Sequence, residues 1–354
     1  MSSVASRGLR IAVLFGGTSA ERDVSIVSSA QIVRALRSRG HHVVAIDTAL
    51  GILDQSGERA LFEAKVGTRP PTEGNGLGVL AIDPVRFFAD PRLQGIDLAF
   101  LGMHGGAGED GHLQALLDLQ GIPYTGSGML ASACAMDKDV AKRLMRLAGV
   151  PTADWLMAPP ASDHAAHAAM AAKVEAQLGW PVVVKASKQG STVGLSVVRQ
   201  ADQLPAAIAQ AYLHDDEVLL ERFVPGRELT VGILDGQALA VGEIVLHKGE
   251  IFDYQAKYQP GGVSEVFPAV IDAAVAGEVQ RLGVQVAHAL KLRDYCRVDF
   301  RFDQHGRLWC LEANTLPGMT AMSLLPQSAA AVGMSFERLC EAICNIALAR
   351  SARA

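Results

Sequence analysis

Cysteine is sparse and unpatterned in this chain: Cys134, Cys296, Cys310, Cys340 and Cys344 are odd in number, scattered, and form no CxxC. That argues against a disulfide framework or a clustered zinc site, and the expectation is a reduced, cytoplasmic protein. Cys340 and Cys344 share a helix face by spacing and read as small core residues. Long apolar runs are also missing. No segment approaches the roughly 18 uninterrupted apolar residues of a membrane span. The apolar run 11–15 is too short for a signal-peptide core and ends in Gly-Gly, so it reads as a strand. No block of like charge occurs, and a net charge of −5 offers no nucleic-acid or membrane surface. Aromatics make up only 5% of residues and charged residues 19%, against 49% hydrophobic, an ordinary soluble composition. A P-loop is absent, since no GxxxxGK[ST] occurs. The run Gly16-Gly-Thr-Ser-Ala-Glu21 lacks the third glycine of a dinucleotide fingerprint. Its helix N-terminus would still favour an anionic group, and Glu21 could hold an ammonium.

What is present is an alternation of α and β patterns in 354 residues, enough for two or three domains. Residues 11–15 and 43–47 read as strands flanking an amphipathic helix over 24–39 that Gly40 closes. The signal weakens over 51–90, where 68–78 is a loop by composition. Residues 98–103 read as a buried strand, followed by a Gly-rich turn and a helix through Gln120. The run 123–128 marks a first boundary. Beyond it come a helix over 137–147, an Ala-rich helix around 164–178, a hairpin of 182–185 with 195–198, and a strand over 218–223. A last helix starts at Ser335.

Two stretches carry chemistry. In 297–314 two runs alternate polar and apolar residues and meet at His305-Gly306, the pattern of a β-hairpin. A two-residue turn there sets Asp299 opposite Glu312, and a shift of two keeps both on one face. Val298, Phe300, Trp309 and Leu311 then form an apolar face, with Arg297, Asp299, Glu312 and Asn314 on the polar one. Such oxygen donors suit Mg²⁺, which is usually held by one or two carboxylates plus substrate phosphates; the alternative is a solvated charged face. The second stretch, 185–194, puts two glycines and two hydroxyls between apolar strands beside Lys185. Its backbone N–H groups could cradle phosphate oxygens, or the segment could be a plain flexible turn.

Taken in order, these motifs resemble the ATP-grasp ligases, and among them the D-alanine–D-alanine ligases. The resemblance runs from about residue 10 to about residue 348. It is carried by Gly16-Gly-Thr-Ser-Ala-Glu21-Arg, His104-Gly with Gly108-Glu-Asp-Gly111, Pro123-Tyr-Thr-Gly-Ser-Gly128 and Met136-Asp-Lys138. It continues through Val184-Lys185, Gly190-Ser191-Thr192-Val-Gly194, Tyr254-Gln-Ala-Lys257-Tyr258, Arg297-Val-Asp299 and Glu312-Ala-Asn314-Thr-Leu-Pro-Gly318-Met-Thr. Single motifs are weak; the ordered series is specific.

The resemblance implies an α/β chain with an ATP-grasp fold behind an N-terminal β-α-β domain. The units would be 1–126 for substrate, 127–221 with the phosphate hairpin, and 222–354 with a mobile loop and the metal hairpin. It implies that one D-alanine is phosphorylated by ATP to an acyl phosphate, which the amine of a second attacks, for peptidoglycan precursor synthesis. Phosphoryl transfer asks mainly for positioning and charge neutralisation. By the same resemblance Asp299, Glu312 and Asn314 hold two Mg²⁺ (or Mn²⁺), with Glu312 bridging. Lys138 and Lys185 meet the ATP phosphates with the loop residues Ser191 and Thr192. Glu221, Val224 and Glu228 match adenine and ribose contacts. Arg297 and the N–H of Gly318 match the groups that stabilise the developing oxyanion. Glu21 would hold the first D-alanine's ammonium with His104 beside it, and Ser323 and Leu324 the second D-alanine's carboxylate. Ser191 and Tyr258, preceded by Lys257 as a further substrate contact, would link the glycine loop to a mobile loop over roughly 246–267. A homodimer is expected, with no nucleic-acid or membrane partner.

Read without the family, His104 could equally stabilise a turn, Tyr258 be an ordinary loop aromatic, and Ser323 a helix N-cap. Thr192 stands where the family usually has Ser, Gln189 where it often has an acid, and Leu316 and Met322 where polar residues are common. Met322 adjoins the second-substrate positions, so a ligase with another acceptor is the main competing reading; the Lys257-Tyr258 pair favours an amine nucleophile. A non-catalytic nucleotide-binding protein should have lost Lys185, Arg297, Asp299 or Glu312, and all are present.

Overall fold

The structure, a computed structural model, describes residues 8–63, 90–160, 164–190, 192–247 and 262–352. Ser191, Lys257 and Tyr258, the 68–78 loop and most of the 246–267 segment lie outside the described residues.

The chain opens as its alternation predicts. β1 (Arg10–Phe15), α1 (Arg22–Ser38) and β2 (His42–Asp47) form a β-α-β unit with β1 and β2 parallel. β3 (Gly51–Ile52) pairs antiparallel with β2 and leads into α2 (Gln55–Phe62). β4 (Leu98–Leu101) lies parallel to β1, giving the order β3-β2-β1-β4. β1 is central, and Ile11 to Phe15 are buried; a strand covered on both faces reads as an unbroken apolar run.

α3 (His112–Leu119), α4 (Met129–Met136) and α5 (Lys138–Leu147) follow. Asp137 caps α5 by accepting from the Val140 N–H at 3.1 Å, which sets Lys138 at its first turn. β5 (Trp155–Met157), α6 (His164–Gln177), β6 (Val182–Ala186), β7 (Ser196–Val198), α7 (Leu204–Ala211) and β8 (Val218–Arg222) build an antiparallel sheet in the order β5-β8-β6-β7. The strand period of two sorts its faces. Val182, Val184, Val218 and Leu220 pack with Val174, Leu204 and Ile208, so Val183, Lys185 and Glu221 point the other way.

β9 (Arg227–Leu234), β10 (Gln237–Leu246), β11 (Val263–Val266), β12 (Tyr295–Phe302) and β13 (Leu308–Asn314) form a five-stranded antiparallel sheet in the order β11-β10-β9-β12-β13. α8 (Ala273–Ala289) covers one face: Val279, Leu282 and Val286 pack on Leu229, Val231, Val298 and Phe300, joined by Ala141 and Met145 of α5. Glu228, Thr230, Arg297, Asp299 and Arg301 alternate with those residues and so share the opposite face. α9 (Leu324–Ala330) packs near Gly232 of β9 on that face, where a Cβ would stand 2.6 Å from Leu325 Cδ1.

The β12–β13 hairpin corrects the expected turn. Asp299 does face Glu312, and Arg297 faces Asn314. The connection, however, is not a two-residue turn at His305-Gly306, because the last pair is Phe302↔Leu308. Asp303 builds the longer loop: its Oδ1 accepts from the N–H groups of His305 and Arg307, and its Oδ2 from Trp309 Nε1. A bulge between Asp299 and Phe300 then restores the register, pairing Phe300 with Cys310. In consequence Leu308, Cys310 and Ala313 carry the buried face of β13. Trp309 and Leu311, expected there, lie outside that core.

α10 (Phe336–Ser351) returns to the first sheet. Leu339, Cys340, Ile343, Cys344 and Ala347 join the core of β1, α1 and β4, so the two cysteines are core residues as their spacing suggested. A buried carboxylate ties these distant segments. Asp294 accepts from the Gly126 N–H at 2.9 Å and from Arg350 at 3.1 Å through each oxygen, while Arg350 also donates to the Tyr124 carbonyl at 2.7 Å. Asp294 has a left-handed φ of 61°, a conformation Asn also tolerates. Asp294→Ala is expected to cost about 3 kcal/mol in urea unfolding, because it strands Arg350 and the Gly126 amide. Asp294→Asn should cost about half as much, keeping the backbone fit and part of the hydrogen bonding.

Candidate active site

The inner faces of the second and third sheets bound a first cavity, with Lys185 and Glu221 from one sheet and Glu228, Arg297, Asp299, Arg301 and Glu312 from the other. Lys138, Gly190, Thr192 and Val224 complete its polar end and rim. A second cavity adjoins it, lined by Glu21, His104, Glu109, Asn314, Gly318, Ser323 and Leu324. Arg297 and Gly190 line both, so the two spaces meet there. Every sequence-predicted site residue among the described ones lines one cavity or the other; Ser191, Lys257 and Tyr258 fall outside the described residues.

Arg297 and Asp299 sit two apart on β12 and form a forked pair: Nε donates to Oδ1 at 2.9 Å and a terminal nitrogen to Oδ2 at 2.8 Å. Thr230 Oγ1 donates to Oδ1 at 2.7 Å, and Asn314 Nδ2 to Oδ2 at 3.0 Å. Across the hairpin, Glu312 lies 3.8 Å from Lys138 Nζ. Lys138 also donates to the Gln189 carbonyl at 2.6 Å, pinning the loop after β6. Burial pulls the Lys138 pKa down, opposed by Glu312. On the facing sheet Lys185 Nζ stands 3.2 Å from Glu221 Oε1. Burial raises the Glu221 pKa, but Lys142 and Lys185 outweigh it and hold the carboxyl below its ordinary value. Thr192 adopts φ 62° within this loop, a strained conformation for a β-branched residue.

In the second cavity, Glu21 caps the start of α1 by position. Its Oε2 fits against two glycines: a Cβ on Gly105 would stand 2.7 Å from it, and one on Gly190 2.8 Å. His104 is buried with both ring nitrogens engaged, Nδ1 with the Leu316 carbonyl at 2.9 Å and Nε2 with Ser28 Oγ at 3.3 Å. Ser323 does occupy the N-cap position of α9, yet its hydroxyl serves the preceding turn, accepting from the Thr320 N–H at 3.1 Å. Met322 is 74% exposed at this cavity's rim.

The comparisons with known proteins follow the same layout. The D-ala D-ala ligase N-terminus model matches residues 10–127, and the D-ala D-ala ligase C-terminus model residues 144–345. The chain belongs to the D-alanine–D-alanine ligase family. It is 39% identical to the D-alanine–D-alanine ligase of Synechococcus sp. (strain JA-3-3Ab), over 97% of this chain and 95% of that one. The D-alanine–D-alanine ligase of Bacillus anthracis complexed with ATP superimposes with a TM-score of 0.75 at 31% identity, covering 98% of this chain and 99% of that one. The VanG D-Ala:D-Ser ligase of Enterococcus faecalis superimposes with a TM-score of 0.77 at 29% identity, over 96% and 100%. The mixed α/β architecture with three sheets is thus the ATP-grasp arrangement of these ligases.

Several lining residues escaped the sequence reading. Arg301 follows Arg297 and Asp299 on their face of β12 by strand parity, whereas Leu311 joins the lining only through the bulge. Glu109, inside a quoted motif, accepts from the amides of Gly105 and Leu316, and burial followed by the charge of Glu21 raises its pKa. Lys142 lies behind the lining, buried beside Glu221, and carries no sequence signal, since a lysine one turn from Lys138 ordinarily marks a solvated face. For this family member, Gly190→Ala should displace the Glu21 carboxylate. We expect kcat/KM to fall about tenfold or more while the thermal midpoint moves by no more than about 2 °C. Steady-state kinetics with a melting curve checks this.

Proposed function

We propose that the protein joins two D-alanines in an ATP-dependent ligation, through an acyl phosphate, releasing ADP and phosphate. The observation that carries this reading is the meeting of two unlike cavities at Arg297 and Gly190. One has a cation-lined phosphate loop. The other has a carboxylate, Glu21, suited to an amino acid's ammonium. A carboxylate is a poor electrophile, so its activation by phosphoryl transfer must occur where the two spaces join.

In this mechanism Lys138, Lys185 and the loop residues Ser191 and Thr192 bind the triphosphate, and Glu221, Val224 and Glu228 take the adenine and ribose. Glu21 holds the first D-alanine by its ammonium, with His104 as a fixed wall. Arg297 and the Gly318 N–H receive the charge that develops on the attacked carbonyl oxygen; one such donor is typically worth a hundredfold or more in rate. Ser323 and Leu324 orient the second D-alanine, and Lys257 and Tyr258 act on the same side. The Lys257-Tyr258 pair supports an amine as nucleophile.

Divalent cations fit this donor set. Around the first cavity Lys138, Lys185, Arg222, Arg297 and Arg301 oppose Glu221, Glu228, Asp299 and Glu312, five charges against four. That excess of one does not neutralise a nucleoside triphosphate of about −4. Among the described residues no group of three or more His, Cys, Asp or Glu could hold a metal alone. Two carboxylates and a carboxamide, Asp299, Glu312 and Asn314, match Mg²⁺ that completes its shell with water and phosphate. Two such ions, or Mn²⁺, would supply charge neutralisation to the phosphoryl group when bound.

The proposal includes division at 1–126, 127–221 and 222–354, a homodimer, and a cytoplasmic role in peptidoglycan precursor synthesis. Among the described residues no helix is long and apolar enough to cross a membrane.

A second reading keeps the ATP chemistry and changes the acceptor. Exposed, apolar Met322 beside Ser323 favours it, as does the likeness to a D-Ala:D-Ser ligase. ATP-dependent phosphate release with D-Ala, L-Ala, D-Ser and D-lactate, singly and in pairs, decides between them. D-Ala alone should suffice and yield the dipeptide; turnover only with a second, different acceptor would sink the first reading. Glu312→Gln should lower turnover by about a hundredfold or more with an unchanged melting curve, since it removes one charge from the metal-facing pair. Lys185→Ala should weaken ATP binding in calorimetry by about tenfold, the loss of one charge-assisted contact.

A further inference from the structure

Lys138 and Lys142 lie one helical turn apart on α5, so both leave the same face. Lys138 reaches the loop after β6. Lys142 reaches Glu221, which lines the first cavity, from behind and is 1% exposed. Its Nζ is 2.6 Å from Thr152 Oγ1, 2.7 Å from Glu221 Oε2 and 5.0 Å from the centre of the Trp155 ring. Glu221 stands in register with Trp155 on β5 and Val183 on β6, and its other oxygen meets Lys185. One buried carboxylate is therefore held between two ammonium groups, one below it and one beside the phosphate loop.

Stability alone gives little reason for this arrangement. Replacing buried ion pairs by apolar side chains of similar volume is often neutral or stabilising. Burial pulls the Lys142 pKa down, and only the Glu221 carboxylate opposes it strongly. We infer that Lys142 is a positioning residue for nucleotide binding: it fixes the Glu221 carboxylate toward the base end of the cleft and keeps that carboxylate from closing fully on Lys185. Without Lys142, Glu221 would turn both oxygens to Lys185, its remaining cation. That motion would draw the Lys185 ammonium toward the sheet and away from the glycine loop. The inference rests on the assignment of Glu221 to the nucleotide base made above.

The test compares Lys142→Met, Glu221→Gln, the double variant and Thr152→Val by steady-state kinetics, ATP calorimetry and thermal melting. Lys142→Met should raise KM and Kd for ATP about tenfold, with kcat within about threefold and KM for D-alanine unchanged. Its preference for ATP over GTP should fall by a similar factor. The double variant should be no worse than the weaker single one, since Lys142 acts through Glu221. A merely structural lysine would instead lower the melting point and kcat and leave KM for ATP and base preference in place; that result, or additive losses, overturns the inference. Should Lys142→Met fail to fold, Thr152→Val decides, because it frees the ammonium without removing it. A rise of about threefold in KM for ATP supports the inference, and an unchanged KM overturns it. Wild-type ATP affinity in Glu221→Gln would remove the base assignment and the inference together. Weakened affinity there with none in Lys142→Met removes the inference alone.

Discussion

The forked pair of Arg297 and Asp299 is the contact on which the rest of the site depends. Both residues leave the same face of β12, a strand with neighbours on either side, β9 and β13. Thr230 and Asn314 donate to Asp299 from those two neighbours. The pair thus fastens three strands at the point where the two cavities meet, and it sets Arg297 in a direction that a free side chain of its length would not keep. The pair also spans the junction: Asp299 lines the first cavity, and Arg297 lines both. A wider separation of the two residues along the strand would break the fork; an odd separation would send one of them into the core with Val298 and Phe300.

Strand parity made much of the site legible in the sequence. The alternation in 297–314 gave the facing of Asp299 and Glu312, and the unbroken apolar run 11–15 gave the buried central strand of the first sheet. The hairpin loop was less legible, because Asp303 holds it with side-chain bonds that periodicity does not register. A longer loop alone would have shifted Glu312 off the Asp299 face. The bulge in β13 undoes that shift, so the two departures from the expected hairpin cancel at the Asp299–Glu312 pair and remain visible only at Trp309 and Leu311. Lys142 was hidden for another reason. A lysine one turn from another lysine on a helix ordinarily signals a solvated face, and its burial follows only from the packing of α5 against the third sheet, which no local pattern encodes.

Convergence of separate chain segments explains why the glycines sit where they do. Glu21 comes from the start of α1, Gly105 from the turn after β4, and Gly190 from the loop after β6. A side chain at either glycine would occupy the space of the Glu21 carboxylate, so close approach, rather than turn geometry alone, restricts Gly190. The same loop is held on its other side by Lys138, whose ammonium grips the Gln189 carbonyl. The loop after β6, gripped by a helix lysine on one side and set against the Glu21 carboxylate on the other, therefore lies between the two cavities, with Gly190 lining both. A shift of Glu21 changes the room available to the loop, and a shift of the loop changes the room available to Glu21.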